Sequence, residues 1–481
     1  MNSQKTNETS TSSCLGEPMP VVARCIQTLS GIVAVSQYSL IVLTLCLSWH
    51  GFVQAQETTE TAAPAAASDE AVVPDAAAQD PPAASPPLPG NPNQDCMQKI
   101  IDQHALTLKI RDINNPLERI PEAKYLQLRR PVATGIQSGA EGAADLENLS
   151  LVLKHRLFQA TDPTFVADSD NVKNLFNEMD REIRGAGGQA GNAQRTKAYR
   201  QKYCDTVLAV AKQMFDNNLD ARSIAIQIIK ELYVNKTAAG LTENHSESMA
   251  ALLGLLKDPE QPDSVKVTAA AAIDYVLSNT SVIPQEQDSV SDAIAAELDR
   301  PCTEVAYQLL LVDTLFNVTQ PRKSSGRRET NVMGTFVKLV DDKARPLQVR
   351  CRAAFGIGQG AYDAKVDFDP LTWKVANLAL EASVFFNQAP GDPAWQQCGV
   401  DLFFAYRHVD KNGLAKQPPM LPQGMMNRAA TSAPVNESGS LAAFKIAVPL
   451  VVNNAKIPQA DQLELKAWID ANKALESKPW E

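Results

Sequence analysis

Histidine is scarce in this sequence: five residues in 481, none near another. His50, His104, His155, His245 and His408 make no pair at metal-ligand spacing. There is no Cys-x-x-Cys, no haem-attachment motif and no Gly-x-Ser-x-Gly elbow. The sequence therefore offers no catalytic, metal-ligand or cofactor motif, while a triad assembled from residues distant in sequence stays open. Basic charge is also wanting. The formal charge is −10, which excludes the broad basic footprint of a nucleic-acid binder. The eight cysteines lie far apart. Cys14, Cys25 and Cys46 precede residue 56, and Cys96, Cys204, Cys302, Cys351 and Cys398 follow. Five widely spaced cysteines do not make a disulfide framework, although an oxidising compartment would allow one or two bridges.

What is present begins with an export signal over residues 1–55. A polar start carrying Arg24 leads to an apolar stretch, densest at Leu40–Leu47. Val53-Gln54-Ala55 then puts small residues at the −3 and −1 positions of a cleavage site. The apolar stretch is shorter than the ~20 residues of a spanning helix. Leu45 occupies the position where a lipoprotein at Cys46 needs a small residue. Membrane contact is expected only if the leader stays uncleaved, and the mature chain is expected in the periplasm or outside the cell. Residues 56–95 hold eight prolines, seven acidic residues and no Lys, Arg or aromatic residue. Such a segment cannot bury enough apolar surface to offset its ordering entropy and reads as an acidic, semi-extended linker. The leader sums to zero charge, so the body carries about −3.

The body starts near Cys96. Over 96–192 the pattern is helical but irregular, with helices expected at Asp145–Gln159 and Asn171–Arg184 and a loop around Pro116–Pro131. The run Gly185–Gly191 follows a helix rather than a strand and reads as a connection, not a dinucleotide fingerprint. Asp168 and Asp170 start like a calcium loop. The positions that need oxygen ligands then hold Val172 and Met179, so a helix cap explains them better. His155, flanked by Lys154 and Arg156, is expected at the surface.

From residue 193 apolar residues three and four apart predict helix pairs at Ala193–Val234, Glu247–Leu277, Ser289–Val318, Val332–Gly360 and Leu371–His408. In Val332–Gly360 the first helix would bury Val332, Phe336, Val337 and Val340. The second would bury Val349, Ala353, Gly356 and Ile357, while Ala354 and Gly358 let a neighbouring helix come close. Anchors in the second helices, Ala221, Val267, Val305, Val349 and Ala394, stand 46, 38, 44 and 45 residues apart. A pair this small has no second layer for its apolar face and needs copies on either side. After residue 410 regularity stops. Residues 411–440 read as a loop, Leu441–Val452 as an apolar stretch interrupted by Pro449, and Asp461–Leu475 as a last helix that caps the array.

With its Leu/Val run, turn aspartate (Asp258, Asp341), Val and Ala pair, the chain resembles the HEAT-repeat, armadillo-like family over residues 193–410. The closest segments are Met249–Leu277 and Val332–Gly360. The resemblance implies an all-α superhelix. It departs after the anchors: Arg222 and Arg350 match the family's arginine, but Thr268, Ala306 and Trp395 do not, so an Asp–Arg ladder is not expected to run the length of the array. In such arrays the second helices line the concave surface. The resemblance therefore implies a basic inner strip of Arg222, Lys266, Arg350 and Arg352, beside the basic loop Arg322, Lys323, Arg327 and Arg328. Such a strip would attract an acidic segment, the 56–95 linker included.

The function expected is an exported, non-enzymatic scaffold that takes a protein or envelope component as partner and needs no cofactor. The alternative is an enzyme or enzyme accessory of the lyase-like HEAT type, by fold-level analogy. Cys204, Cys351 and Cys398 are expected to be buried, and Cys96, beside the linker, exposed. Export predicts a mature N-terminus at or near Gln56. N-terminal sequencing of the chain from its native host checks this, and a soluble cytosolic protein retaining residues 1–50 contradicts it.

Overall fold

The computed structural model describes residues 94–236, 242–318, 332–360, 366–388, 390, 393–406, 424–425, 434–452 and 456–478. All fall within one unit, Ser85–Glu481. The described chain is helical almost throughout, as the apolar periodicity requires. The first helices are α1 (Gln94–Arg111), α2 (Glu122–Ser138), α3 (Ala143–Leu157), the short α4 (Pro163–Val166) and α5 (Ser169–Gly185). Five pairs follow: α6 (Ala193–Ala211) with α7 (Leu219–Ile229), α8 (Ser246–Lys257) with α9 (Asp263–Asn279), α10 (Pro284–Leu298) with α11 (Val305–Phe316), α12 (Val332–Asp341) with α13 (Leu347–Gln359), and α14 (Phe368–Gln388) with α15 (Pro393–Tyr406). Last come α16 (Pro434–Val452) and α17 (Gln459–Ala471). The only sheet among the described residues is small. β1 (Tyr233–Lys236) is antiparallel to β2 (Thr242–Asn244), and β2 is parallel to β3 (Thr280–Ser281).

Side-chain caps set several helix starts. Asn192 accepts from the Arg195 N–H and Asn218 from the Ala221 N–H. Asp168 caps α5 by accepting from the Asp170 N–H, the role its sequence context favoured over calcium. Residues 113–121 form the loop expected there, but two other stretches expected as loop are helical. The segment before Pro131 is helical because the Pro131 ring lies on the exposed side of α2, where water can satisfy the carbonyl four residues back. The buried stripe of α2 is Tyr125, Val132 and Ile136. Residues 434–440, assigned to a loop, begin α16, which runs through Pro449.

Each pair packs internally, and successive pairs pack in chain order. One row is α6, α8, α10, α12, α14; the other is α7, α9, α11, α13, α15. Helix α16 then lies on α14 and α15, and α17 on α14 and α16. The fourth pair shows why. Helix α13 buries Val349, Ala353, Gly356 and Ile357, and α12 buries Phe336 and Val340, with Val332 and Val337 half-buried. A Cβ at Gly356 would sit 2.6 Å from the Phe336 ring, so glycine admits that ring. At Gly358 a Cβ would collide with the Ala405 backbone, so α13 and α15 touch there.

Helix α1 and the segment after it run against the turns inside the first three pairs, in the opposite direction to the array. Cys96 is bridged to Cys302 in the α10–α11 turn. Gln103 accepts from the Asp263 N–H, and the Thr107 and Ser264 hydroxyls lie 3.0 Å apart, both at the start of α9. The Asn115 carbonyl accepts from Asn217 before α7, and the Leu117 N–H donates to Thr161. Cys96 is thus no exposed thiol, contrary to the sequence expectation. The turn that takes it lies 206 residues away and carried no local signal. Cys204, Cys351 and Cys398 are free and buried, as expected. A bridge closing so long a loop contributes roughly 2–5 kcal/mol. Peptide mapping of the unreduced, denatured chain is expected to find Cys204, Cys351 and Cys398 alkylated and Cys96 joined to Cys302. Reduction is expected to lower the unfolding free energy by about that amount, read from denaturant titration. Free Cys96 before reduction contradicts the strap.

Candidate functional site

The residues expected to form a basic inner strip are mostly inside the protein. Arg222, Lys266 and Arg350 are 6%, 4% and 2% exposed. Each spans the step to the next pair. Arg222 donates to the Gln261 side chain (2.6 Å) and the Asn217 carbonyl. Lys266 pairs with Glu297 on α10 at 3.5 Å. Arg350 holds both oxygens of Glu381 on α14, at 2.6 and 2.9 Å, and donates to the Val340 carbonyl. Between the third and fourth pairs the rung is Arg345 to Gln308, at 3.0 Å. The expected strip is therefore corrected: these cations join neighbouring pairs instead of facing a partner. A polar rung does cross each of these four steps, built from different residue types, which is why no single Asp–Arg pattern showed in the sequence. The basic loop Arg322, Lys323, Arg327 and Arg328 lies outside the described residues.

Arg352, two residues beyond Arg350, belongs to another face. Half-exposed residues three or four apart mark an open stripe along the second helices of the first four pairs: Ser223, Gln227 and Lys230; Thr268, Ala271 and Tyr275; Leu310, Asp313 and Phe316; Gln348, Arg352 and Phe355. Side chains link these stripes too. Tyr275 donates to Glu231 (3.1 Å) and Asn317 to Asp274 (2.7 Å). Arg352 lies between Asp313 (3.1 Å) and Asp401 (2.8 Å). The face mixes both signs of charge.

His245 illustrates a site that sequence could not show. Its Nε2 is 2.9 Å from Asp205 and its Nδ1 2.8 Å from the Ser248 hydroxyl, a serine–histidine–aspartate array assembled from α6 and α8. It is closed to substrate. His245 and Ser248 are 0% and 1% exposed, so no scissile carbonyl can reach the hydroxyl. The three residues tie the start of α8 to α6. His155 is likewise buried, against the expectation of a surface position. Its Nδ1 donates to the Ile120 carbonyl and its ring stacks on Tyr125, with centroids 4.1 Å apart. Neighbouring Arg156 is buried and pairs with Glu182 at 2.5 Å. His155 misleads because α3 packs against α2 on one side and α6 on another, so polar residues on its flanks, Arg156 included, are covered.

A cleft of about 380 Å³ opens between α5, α7 and α9. Phe176, Met179, Ile183 and Ile228 supply apolar lining, and Asn177, Gln227, Lys230, Glu231 and Tyr275 the polar groups, with the Asp180–Arg184 pair beside them. Lys230 Nζ stands 4.7 Å from the centre of the Tyr275 ring, a cation–π contact. Its closest carboxylate oxygen, on Glu231, is 3.9 Å away, too long for a hydrogen bond. Burial lowers the Lys230 ammonium below its usual range, and burial with nearby Glu231 pushes the Tyr275 phenol up to about 12. Sequence reasoning passed over this pair, although Lys230 and Tyr275 stand nine and eight residues after their anchors, at matching places in consecutive pairs.

Searches against family models, curated proteins and solved structures find nothing that matches this chain.

Asp401 gives the face a pH-dependent step. It is 1% exposed, and burial, with Asp313 sharing the same arginine, raises its carboxyl to about 7 despite Arg352. The folded state then holds a proton that the unfolded chain has lost above pH ~4. Stability contributed by this group is present at low pH and falls as pH rises through about 4 to 7. Denaturant titrations of the wild type and Asp401→Asn at pH 5 and pH 8 check this. The variant is expected to gain about 1–3 kcal/mol relative to wild type between the two pH values. An unchanged difference contradicts the assignment.

Proposed function

We propose that this chain is an exported, non-enzymatic scaffold: a HEAT-like α-solenoid that binds a protein partner through the open face of its second-helix row. The observation that carries the reading is the in-order stacking of five helix pairs, with half-exposed stripes at equivalent places on α7, α9, α11 and α13. Such a row offers a long surface that no single pair could provide. The leader and the acidic linker support export ahead of a tethered body. The serine–histidine–aspartate array, its serine and histidine sealed from solvent, lends no weight to the enzyme alternative.

Site-specific photo-crosslinking from the native host's envelope tests the reading. A photoreactive residue at Thr268 or Gln348, on the second-helix row, is expected to capture a discrete protein. One at Ala250 or Lys338, exposed on the first-helix row, is not. Capture from the first row alone, or none from the second, rejects the proposed face.

A further inference from the structure

We infer that the cleft between α5, α7 and α9 seats an extended peptide segment of the partner, with Lys230 taking an acidic side chain of that segment. This rests on the protein-binding reading above and adds the ligand's chemistry. Three observations lead to it. First, Lys230 is the cation in the cleft with no hydrogen bond among the described residues; Glu231, its neighbour, is held by the Tyr275 phenol. Arg184 is bonded to Asp180 at 2.8 Å. The Lys230 ammonium is largely removed from water, at 22% side-chain exposure, with a ring on one side and its closest carboxylate oxygen at 3.9 Å. An arriving carboxylate would meet a cation whose donors are not engaged by protein, and charge-assisted hydrogen bonds of this kind are the strong ones.

Second, the side-chain amides of Gln227 and Asn177 line the same cleft and make no hydrogen bond to described protein atoms. An amide offers one acceptor and two donors, the complement of a main-chain peptide group. Third, Phe176 and the Tyr275 ring form apolar walls over the buried side chains of Met179, Ile183 and Ile228. An apolar side chain next to the acidic one would be covered there. A bare inorganic anion would use Lys230 and leave both amides and the apolar lining unused. The cleft matches a peptide in which a carboxylate neighbours an apolar residue.

Binding by the full mature chain is measured with a capped peptide, Ac-Val-Leu-Glu-Leu-Val-NH2, its Gln-for-Glu isostere, and glutarate as a small dicarboxylate. The Glu peptide is expected to bind at least tenfold more tightly than the Gln peptide and than glutarate. Lys230→Met is expected to abolish the difference between peptides, and Lys230→Arg to keep most of it. Equal binding of the two peptides, or a Glu preference that survives Lys230→Met, overturns the anchor. Glutarate binding as tightly as the Glu peptide overturns the peptide and leaves a small-carboxylate site. Tyr275→Leu, which removes the ring beneath the ammonium, is the second variant and is expected to weaken Glu-peptide binding. Partner capture at Thr268 that persists in Lys230→Met separates the two ideas: the scaffold reading then stands and the cleft falls. Selective Glu-peptide binding without any envelope capture leaves the cleft standing alone.

Discussion

Each helix pair in this chain carries an apolar face that only the next pair can cover. That constraint governs the rest of the structure. A pair of 10- and 13-residue helices such as α12 and α13 is too short to bury its own residues on all sides. It becomes stable by close packing with the pairs before and after it. The fit depends on volume: Gly356 accepts the Phe336 ring, and Gly358 lets α13 reach the Ala405 backbone. At interior packing densities one added methyl at such a contact is felt at once. Apolar burial fixes that the pairs must stack; away from such glycine contacts it resists sliding by a turn less sharply.

The polar rungs limit that sliding. Arg350 meets both oxygens of Glu381 while also holding the Val340 carbonyl, a geometry that a shift of one turn would break. A buried ion pair is weak evidence of added stability, since apolar residues of the same volume often do as well. Removing one partner is costly, about 3–5 kcal/mol, because the other charge is then stranded. The rungs thus penalise wrong registers more than they stabilise the right one. Helix α1 adds a restraint of another kind. By bridging to the third pair and bonding to the second and first, it ties three turns that are distant in sequence into one edge. The fourth and fifth pairs lie beyond that strap, and α16 and α17 cover the fifth from the far side.

The sequence was legible where a single periodicity decides the outcome. The five pairs stand where apolar spacing put them, and Cys204, Cys351 and Cys398 are buried on the helices that spacing defined. It was misleading where the outcome depends on which neighbour covers a residue. Arg222 and Arg350 look like surface arginines because a buried one has the same sequence neighbours. Only the positions of Gln261 and Glu381, 39 and 31 residues onward, decide the matter. The stretch around Pro116–Pro131 reads as a loop, and its second half is helical because Pro131 sits on the exposed side of α2. The cleft was illegible for a related reason. Its walls come from three helices, and Lys230 becomes distinctive only once Tyr275 is beside it and no carboxylate is close enough to bond.

Among the described residues the open face of the second-helix row is nearly neutral along its length, and this limits how it can recognise anything. Lys230 has Glu231 nearby, and Arg352 pairs with Asp313, with Asp401, its carboxyl raised to about 7, adding part of a second negative charge. Opposite charges this close cancel within a Debye length, about 8 Å at physiological salt, so the face projects little field to guide a partner from a distance. On the proposed reading, discrimination must then arise at contact, from apolar fit against Phe316, Phe355 and the cleft lining, and from the few polar groups whose bonds are not already made within the protein. A salt-insensitive on-rate joined to a strong dependence on one acidic side chain is the combination this face supports. A basic strip would have given the reverse, with fast, salt-sensitive association and little selectivity among acidic sequences. On the proposed reading, the burial of Arg222, Lys266 and Arg350 changes the kind of partner the fold suits: one read by shape and a single anchored carboxylate rather than by total charge.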